Sequence, residues 1–247
     1  MNIKLKNRIF SILCILFVSG LLKAQDDRDF RVGFKLIPGV NWVKSKTSFS
    51  QSNGSGIGYS FGFMLDIKIA DNYYFTPEIN ITSMTNNVKL KDTNIHVLNN
   101  NSGHNFNNIS YKYNLQYFEI PLTFKFRTKE SDGLRFWGQF GVAPGFIIGN
   151  NVTTSATAIS PATAFPTDEQ YNPNPSESDI YDFIGYEDNV NIFRTSMIIG
   201  AGIEYRLSGN NSLYLGARFN NGFTDLLNDK RGKVINNVLG LEVGMFF

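Results

Sequence analysis

The chain has 247 residues, with 23 Lys and Arg against 21 Asp and Glu, a size that fits one domain and a balance that does not suit a nucleic-acid partner. The basic surplus is confined to residues 1–24, where Lys4, Lys6, Arg8 and Lys23 stand without an acid; beyond them 19 basic face 21 acidic residues, a net of −2. The only cysteine, Cys14, lies in that same segment, so residues 25–247 have no disulfide or thiol chemistry.

Lys4, Lys6 and Arg8 precede an apolar run from Ile9 to Leu22, and Leu22-Lys23-Ala24 offers a cleavage site before Gln25. Residues 1–24 therefore read as a secretory signal peptide, and 25–247 as one β domain. Leu13 stands before Cys14 where a lipid-anchor site wants a small residue, so no lipid anchor is expected. No later apolar run reaches the roughly 18 residues of a membrane helix. A secreted chain can still cross a membrane as a closed barrel, which satisfies every backbone group internally.

Eight segments alternate with period two, the signature of strands. The first runs from about Phe30 to Val43, with Phe30, Val32, Phe34, Leu36, Val40 and Trp42 on one face and Arg31, Gly33, Lys35, Gly39 and Asn41 on the other. The second, Ile57 to Ile69, has an unbroken apolar row (Ile57, Tyr59, Phe61, Phe63, Leu65, Ile67, Ile69). An Asp71-Asn72 turn leads to the third, with Tyr73, Phe75, Ile79 and Ile81 opposite Thr76, Glu78, Asn80 and Thr82. The fourth spans about Ile109 to Arg127. Its apolar row starts as Tyr111, Tyr113, Leu115 and Tyr117, then changes parity to Phe118, Ile120, Leu122, Phe124 and Phe126. A slip of one residue would turn the side chains inside out, so a β-bulge near Tyr117-Phe118 is expected to repair it.

After a Ser131-Asp132-Gly133 turn the fifth strand runs from Leu134 to Ile148, with Leu134, Phe136, Phe140, Val142, Phe146 and Ile148 in phase. The sixth, about Ile192 to Leu207, shows Phe193, Met197, Ile199, Ala201, Ile203 and Tyr205. A turn at Ser208-Gly209-Asn210-Asn211 leads to the seventh, with Leu213, Leu215, Ala217 and Phe219. The eighth, Val238 to Phe247, places Leu239, Leu241, Val243, Met245 and Phe247 on one face. An apolar strand left bare at the end of a sheet invites aggregation; pairing it with the first strand closes a barrel.

Connections after the second, fourth and sixth strands are short. Long surface loops are expected at about 44–56, 83–108, 149–191 and 220–233. Short turns on one side and long loops on the other are the outer-membrane pattern, and an even strand count puts both termini in the periplasm. The glycines Gly33, Gly39, Gly58, Gly62, Gly141, Gly200, Gly202, Gly216, Gly240 and Gly244 crowd the face opposite the apolar rows. Small residues fit a narrow lumen and weaken a water-facing strand, so that face is assigned inward. It also carries both charge signs. Lys35, Glu78, Glu119, Lys125, Glu204, Arg218 and Glu242 are expected to form a lumen charge network, because an unpaired buried charge costs several kcal/mol. Arg135 and Arg206 share that face. Aromatic girdles are expected from Phe30, Tyr73, Phe75, Phe126, Phe136, Tyr205 and Phe247 at the lower edge and Trp42, Tyr59, Tyr111 and Tyr113 at the upper. The fold expected is all-β: an eight-stranded, antiparallel, up-and-down transmembrane barrel of the OmpA/OmpX-like kind, in the outer membrane of a Gram-negative bacterium.

The segment Tyr117-Phe118-Glu119-Ile120-Pro121-Leu122-Thr123-Phe124-Lys125-Phe126 resembles the Y-L-E-I-P-L-L-x-K signature of PorT-family outer-membrane β-barrels. Gly33 with Gly39-Val40-Asn41, Gly200-Ala201-Gly202-Ile203-Glu204-Tyr205, Leu215-Gly216-Ala217-Arg218-Phe219 and Gly222-Phe223-Thr224-Asp225-Leu226 resemble further segments of that family in the same order. The resemblance implies an outer-membrane barrel and, through the member that names the family, a link to type IX protein secretion.

Catalytic and cofactor chemistry finds little support. His96 and His104, the only histidines, fall in the second long connection with Asp92 as nearest acid, and read as solvated loop residues rather than metal ligands. Nothing places a serine and an acid beside either for a triad. Gly54-Ser55-Gly56-Ile57-Gly58 lacks the strand–turn–helix context of a phosphate loop. No catalytic residue, metal or cofactor is assigned. The stretch between Asn151 and Phe193 has no Lys or Arg, and carries Asp168, Glu169, Glu177, Asp179, Asp182, Glu187 and Asp188 with Tyr171, Tyr181, Phe183 and Tyr186. A mobile acidic loop is the plain reading; a partner-binding surface anchored by the aromatics is the functional one, and a weak calcium site is a third. Expected partners are outer-membrane lipid, the barrel-assembly machinery at the strand ending in Phe247, and another envelope protein. The function expected is a structural or protein-interaction role as an accessory of secretion; a narrow-pore transporter and a membrane-embedded enzyme stay open as alternatives.

Overall fold

The computed structural model describes residues 30–46, 50–90, 95–99, 102–159, 190–209, 211–228 and 233–247. Their strands are β1 (Phe30–Ser45), β2 (Ser50–Ser52), β3 (Ser55–Ala70), β4 (Tyr73–Leu90), β5 (Ile95–Asn99), β6 (Ser102–Glu119), β7 (Leu122–Arg127), β8 (Leu134–Ile159), β9 (Phe193–Ser208), β10 (Asn211–Gly222) and β11 (Val234–Phe246). Every pairing is antiparallel, and β1 pairs with both β3 and β11, so the first and last long strands close the sheet. Between them the order runs β3, β4, β6 with β7, β8, β9, β10. β6 and β7 are successive halves of one stave, separated at Ile120-Pro121 and both lying between β4 and β8. The ring therefore has eight staves, with β2 and β5 as short additions on β4 and β6.

Tight turns mark one end of the ring. Asn72 (φ 66°), Asp132 (φ 51°), Gly133 (φ 80°) and Gly209 (φ 59°) adopt the left-handed conformation there, which short hairpin loops require and which Asn, Asp and Gly tolerate. The outer face of the staves is apolar and exposed: Phe34, Leu36, Ile57, Phe63, Ile79, Phe124, Phe140, Ile199, Leu215 and Leu241 all point away from the lumen. A band of this kind suits hydrocarbon, because a closed ring leaves no unpaired strand edge in lipid.

Towards the opposite end the alternation inverts. In β4, Ser83, Thr85, Asn87 and Lys89 take the outward places while Met84, Asn86 and Val88 are buried. In β6, Lys112, Asn114 and Gln116 point out, and Tyr111, Tyr113, Leu115 and Tyr117 are buried at 0–2% exposure. Tyr111 and Tyr113 are therefore not part of an outer girdle. No bulge interrupts the stave at Tyr117-Phe118 on its β4 side either: the register runs unbroken from Lys89↔Ser110 through Asn80↔Glu119 to Tyr73↔Phe126. The irregularity lies across the stave, where Gln116 pairs Gly149 but Tyr117 pairs Ile147, leaving Ile148 of β8 as the extra residue. The solvent changes, not the strand. Above the lipid the outer face meets water, so polar side chains go out and apolar ones turn in.

The same inversion explains why several expected loops are strand. β4 continues to Leu90 and β6 begins at Ser102, so most of 83–108 is a tall hairpin; β8 continues to Ile159, and β2 and β3 occupy much of 44–56. The connection after β10 folds inward. Leu226 donates its amide to Val234 (2.7 Å), Asn191 donates to Leu226 (2.9 Å), and Val190 forms a bridge with Leu227. Leu226 and Leu227 join Val43, Met84, Val88, Tyr111, Tyr113, Leu115, Tyr117, Val152, Val190 and Val234 in one buried cluster. The lumen is thus not polar throughout: its long-strand end is capped by a hydrophobic core.

Candidate functional site

Below the cap the lumen is charged, in three tiers. The middle tier joins Lys35 of β1, Glu78 of β4, Arg218 of β10 and Glu242 of β11. Lys35 Nζ lies 2.6 Å from Glu78 Oε1 and 3.0 Å from Glu242 Oε1; Arg218 Nη1 lies 3.0 Å from Glu78 Oε2 and 3.0 Å from Glu242 Oε1. Two cations and two carboxylates balance here. The remaining acceptor sites are filled as well, since Asn80 donates to Glu78 (3.0 Å), and Gln139 and Tyr214 each donate to Glu242 (3.1 Å). Buried charges survive only with this density of partners.

At the short-turn end, Asp66 of β3 receives Lys125 (2.9 Å), Arg31 (3.2 Å) and the Thr76 hydroxyl (2.7 Å), with Arg127 at 3.5 Å. Glu204 of β9 is gripped by both terminal nitrogens of Arg31 (2.8 and 3.1 Å), the two-bond geometry that guanidinium and carboxylate favour. It also accepts from Ser212 (3.0 Å) and faces Arg127 (3.3 Å) and Arg135 (3.5 Å). Towards the cap, Glu119 of β6 pairs with Arg194 of β9 and accepts from Thr82 (2.6 Å). Arg194 passes the chain on to Asn236 (3.2 Å), and Asn236 and Asn41 both donate to Asn86.

Aromatic rings floor the lumen. Trp137 stacks on Tyr214 at 4.3 Å between centroids, Phe246 meets Tyr214 edge-on at 5.7 Å, and Lys125 Nζ sits 4.8 Å from the Tyr214 ring. Trp137 has room because its neighbours on β9 and β10 are Gly202 and Gly216; a Cβ at either would overlap its ring. A void of about 30 Å³ remains between the middle and upper tiers, beside Ile37, Thr82, Glu119 and Arg218.

This is a barrel with lipid outside and ion pairs inside, and the family comparison agrees. The family model for the outer membrane protein beta-barrel domain matches residues 23–228. The chain belongs to that family. Outer-membrane β-barrels of known structure are similar to it. Neisserial surface protein A covers 89% of this chain and 98% of its own, at 13% identity and TM-score 0.41. Ail, the attachment invasion locus protein of Yersinia pestis, covers 89% and 100%, at 11% identity and TM-score 0.39. OprG from Pseudomonas aeruginosa covers 88% and 92%, at 9% identity and TM-score 0.44. No curated protein matches the chain.

Within this outer membrane protein beta-barrel domain, the seven charged residues singled out from sequence all face the lumen, but in three groups rather than one. Lys35, Glu78, Arg218 and Glu242 meet; Lys125 and Glu204 belong to the short-turn cluster; Glu119 stands with Arg194. Sequence reasoning left out Arg31, Asp66, Arg127 and Arg194. Arg31 and Asp66 had inward parity and only lacked a visible partner. Arg127 and Arg194 lie near strand ends, where parity is weakest as a guide. Asp168, Glu169, Tyr171, Asp179, Tyr181, Asp182, Phe183 and Tyr186 lie outside the described residues. The backbones of His96 and His104 lie in the β5–β6 hairpin, where Val97 pairs His104 and His96 pairs Asn105, not in a loop.

Proposed function

We propose that the protein is a sealed, non-enzymatic barrel that acts through its surfaces, as a structural or protein-interaction element of the outer membrane. The observation that supports this reading is the filled lumen: three ion-pair tiers and an apolar cap lie in series across it. Barrels of eight strands are narrow enough for side chains to fill them. The short turns and both termini are assigned to the periplasm, and the capped end to the exterior. The acidic, aromatic stretch from Asp168 to Tyr186 is assigned to partner binding, and the strand ending at Phe247 to recognition by the barrel-assembly machinery. The likeness of Tyr117–Phe126 to the PorT-family signature favours an accessory role in type IX secretion.

Planar-bilayer recording of the refolded protein is expected to show no discrete conductance. Regular steps would replace this reading with the narrow-pore transporter. Deleting the gene is expected to hold type IX cargo inside the cell; unimpaired secretion would remove the accessory role and leave the structural one.

A further inference from the structure

We infer that the short-turn mouth of the barrel binds a small oxyanion of the phosphate class. The middle tier is balanced, but the mouth is not. Asp66 serves Arg31, Lys125 and Arg127; Glu204 serves Arg31, Arg127 and Arg135; Glu130 serves Arg135 (2.5 Å) and Arg206 (2.6 Å). Three carboxylates thus face five cations in contact with them, and the exposed Lys129 and Asp132 of the β7–β8 turn add one charge of each sign. The rim pair Lys68–Asp71 (2.8 Å) adds one charge of each sign.

Three of these cations, Arg127, Lys129 and Arg135, and one carboxylate, Glu130, line a space. A cavity of about 250 Å³ opens here, between Tyr74, Arg127, Lys129, Glu130 and Arg135. Arg127 is its central wall. The side chain is only 3% exposed and stacks on Tyr74, with Cζ 3.5 Å from the ring centroid. Its bonds to Glu204 are long, at 3.3 and 3.4 Å, and its Nε has no hydrogen-bond partner among the described residues. A buried guanidinium with open donors is costly, and an oxyanion accepting from it in the fork geometry removes that cost. The wall backbone is held by Arg127 N to Asn72 O at 2.8 Å and Thr128 N to Phe136 O at 2.9 Å, while Nε and Nη2 of Arg127 have almost no accessible surface, so the guanidinium turns towards the cavity as the oxyanion enters. A divalent oxyanion would nearly cancel the surplus. A cation is disfavoured for the same reason.

Calorimetry on the refolded full chain in a maltoside detergent, titrated with inorganic phosphate against chloride at equal ionic strength, tests this. Saturable one-to-one binding is expected. Arg127→Gln should weaken it by about tenfold or more, the scale of a lost charged hydrogen bond. Because that variant also touches buried partners, Lys129→Gln serves as an exposed companion, and a loss of a few fold is expected. Glu130→Gln should tighten binding, since it removes a carboxylate from the wall. Two lipid arms separate the sources: in phosphatidylglycerol nanodiscs, suppression of the phosphate heat identifies the lipid headgroup as occupant, while unchanged heat there and in galactolipid discs identifies a free oxyanion. Absence of saturable heat, or equal affinity in wild type, Lys129→Gln and Glu130→Gln, overturns the assignment.

Discussion

Glu242 and Leu241 are neighbours in β11 and face opposite worlds. Glu242 is fully buried and accepts from Lys35, Arg218, Gln139 and Tyr214, while Leu241 is 51% exposed on the outer wall. Glu242→Ala leaves Lys35 and Arg218 sharing one carboxylate in the lumen. Removing one partner of a buried ion pair costs about 3–5 kcal/mol, and a urea titration of the refolded protein should show its midpoint falling accordingly. Leu241→Arg puts a charge against hydrocarbon, with an expected cost of about 2–4 kcal/mol near the midplane. The diagnostic comparison is the medium outside the wall: the Leu241→Arg cost should depend on it, while the Glu242→Ala cost, set inside the lumen, should not. A neutral Leu241→Arg would place that face away from lipid. Gly216 shows the inward side in another way. Gly216→Val collides with the Trp137 ring, and Trp137→Ala in the same chain should restore part of the lost stability, as coupled neighbours do.

At the scale of the strand, the lipid-spanning parts were legible and the parts above the lipid were not. Within the hydrocarbon, every outward place along β3 from Ile57 to Ile67 is apolar, with Met64 the one large apolar residue turned inward, so its pairing with β1 and β4 follows from pattern. In β6 the apolar row changes parity because the medium outside the wall changes from lipid to water. A rule that keeps apolar residues on one face turns this into a bulge and turns Tyr113 outward. Residue type gave no signal against that rule, since Lys, Asn and Gln also line this lumen, as Lys35, Lys125, Asn80 and Gln139. The charge network was legible in kind, by parity, but not in its grouping. Which stave lies level with which depends on the stagger around the ring, and no single strand displays it. Two substitutions separate the alternatives. Tyr113→Ala should cost about 3–5 kcal/mol as a cavity in the cap, whereas Lys112→Leu, on the wet outer face, should stay within about 0.5 kcal/mol. Denaturation midpoints of the two variants decide between an inward and an outward Tyr113.

For the molecule as a whole, the two ends differ in chemistry as well as shape. The short-turn end is open, basic and rimmed by tight turns, while the opposite end is closed by the β10–β11 connection, which Lys46 and Asp225 clamp at 2.9 Å and Thr224 ties to Thr195 at 3.0 Å. That tie belongs to the Gly222–Leu226 segment, so this motif serves to fold a lid over the lumen rather than to present a loop. A lid of Leu226 and Leu227 seals most usefully on the side exposed to the environment, which agrees with the orientation proposed above. Site-specific labelling tests it cleanly, because Cys14 is the only native cysteine and Cys14→Ser gives a thiol-free background. Asn151→Cys, exposed on the upper part of β8, should react with a membrane-impermeant maleimide on intact cells. Asp132→Cys, at the tip of the β7–β8 turn, should react only after the outer membrane is permeabilised. The reverse pattern would invert the barrel, and labelling of both sites on intact cells would remove it from the membrane altogether.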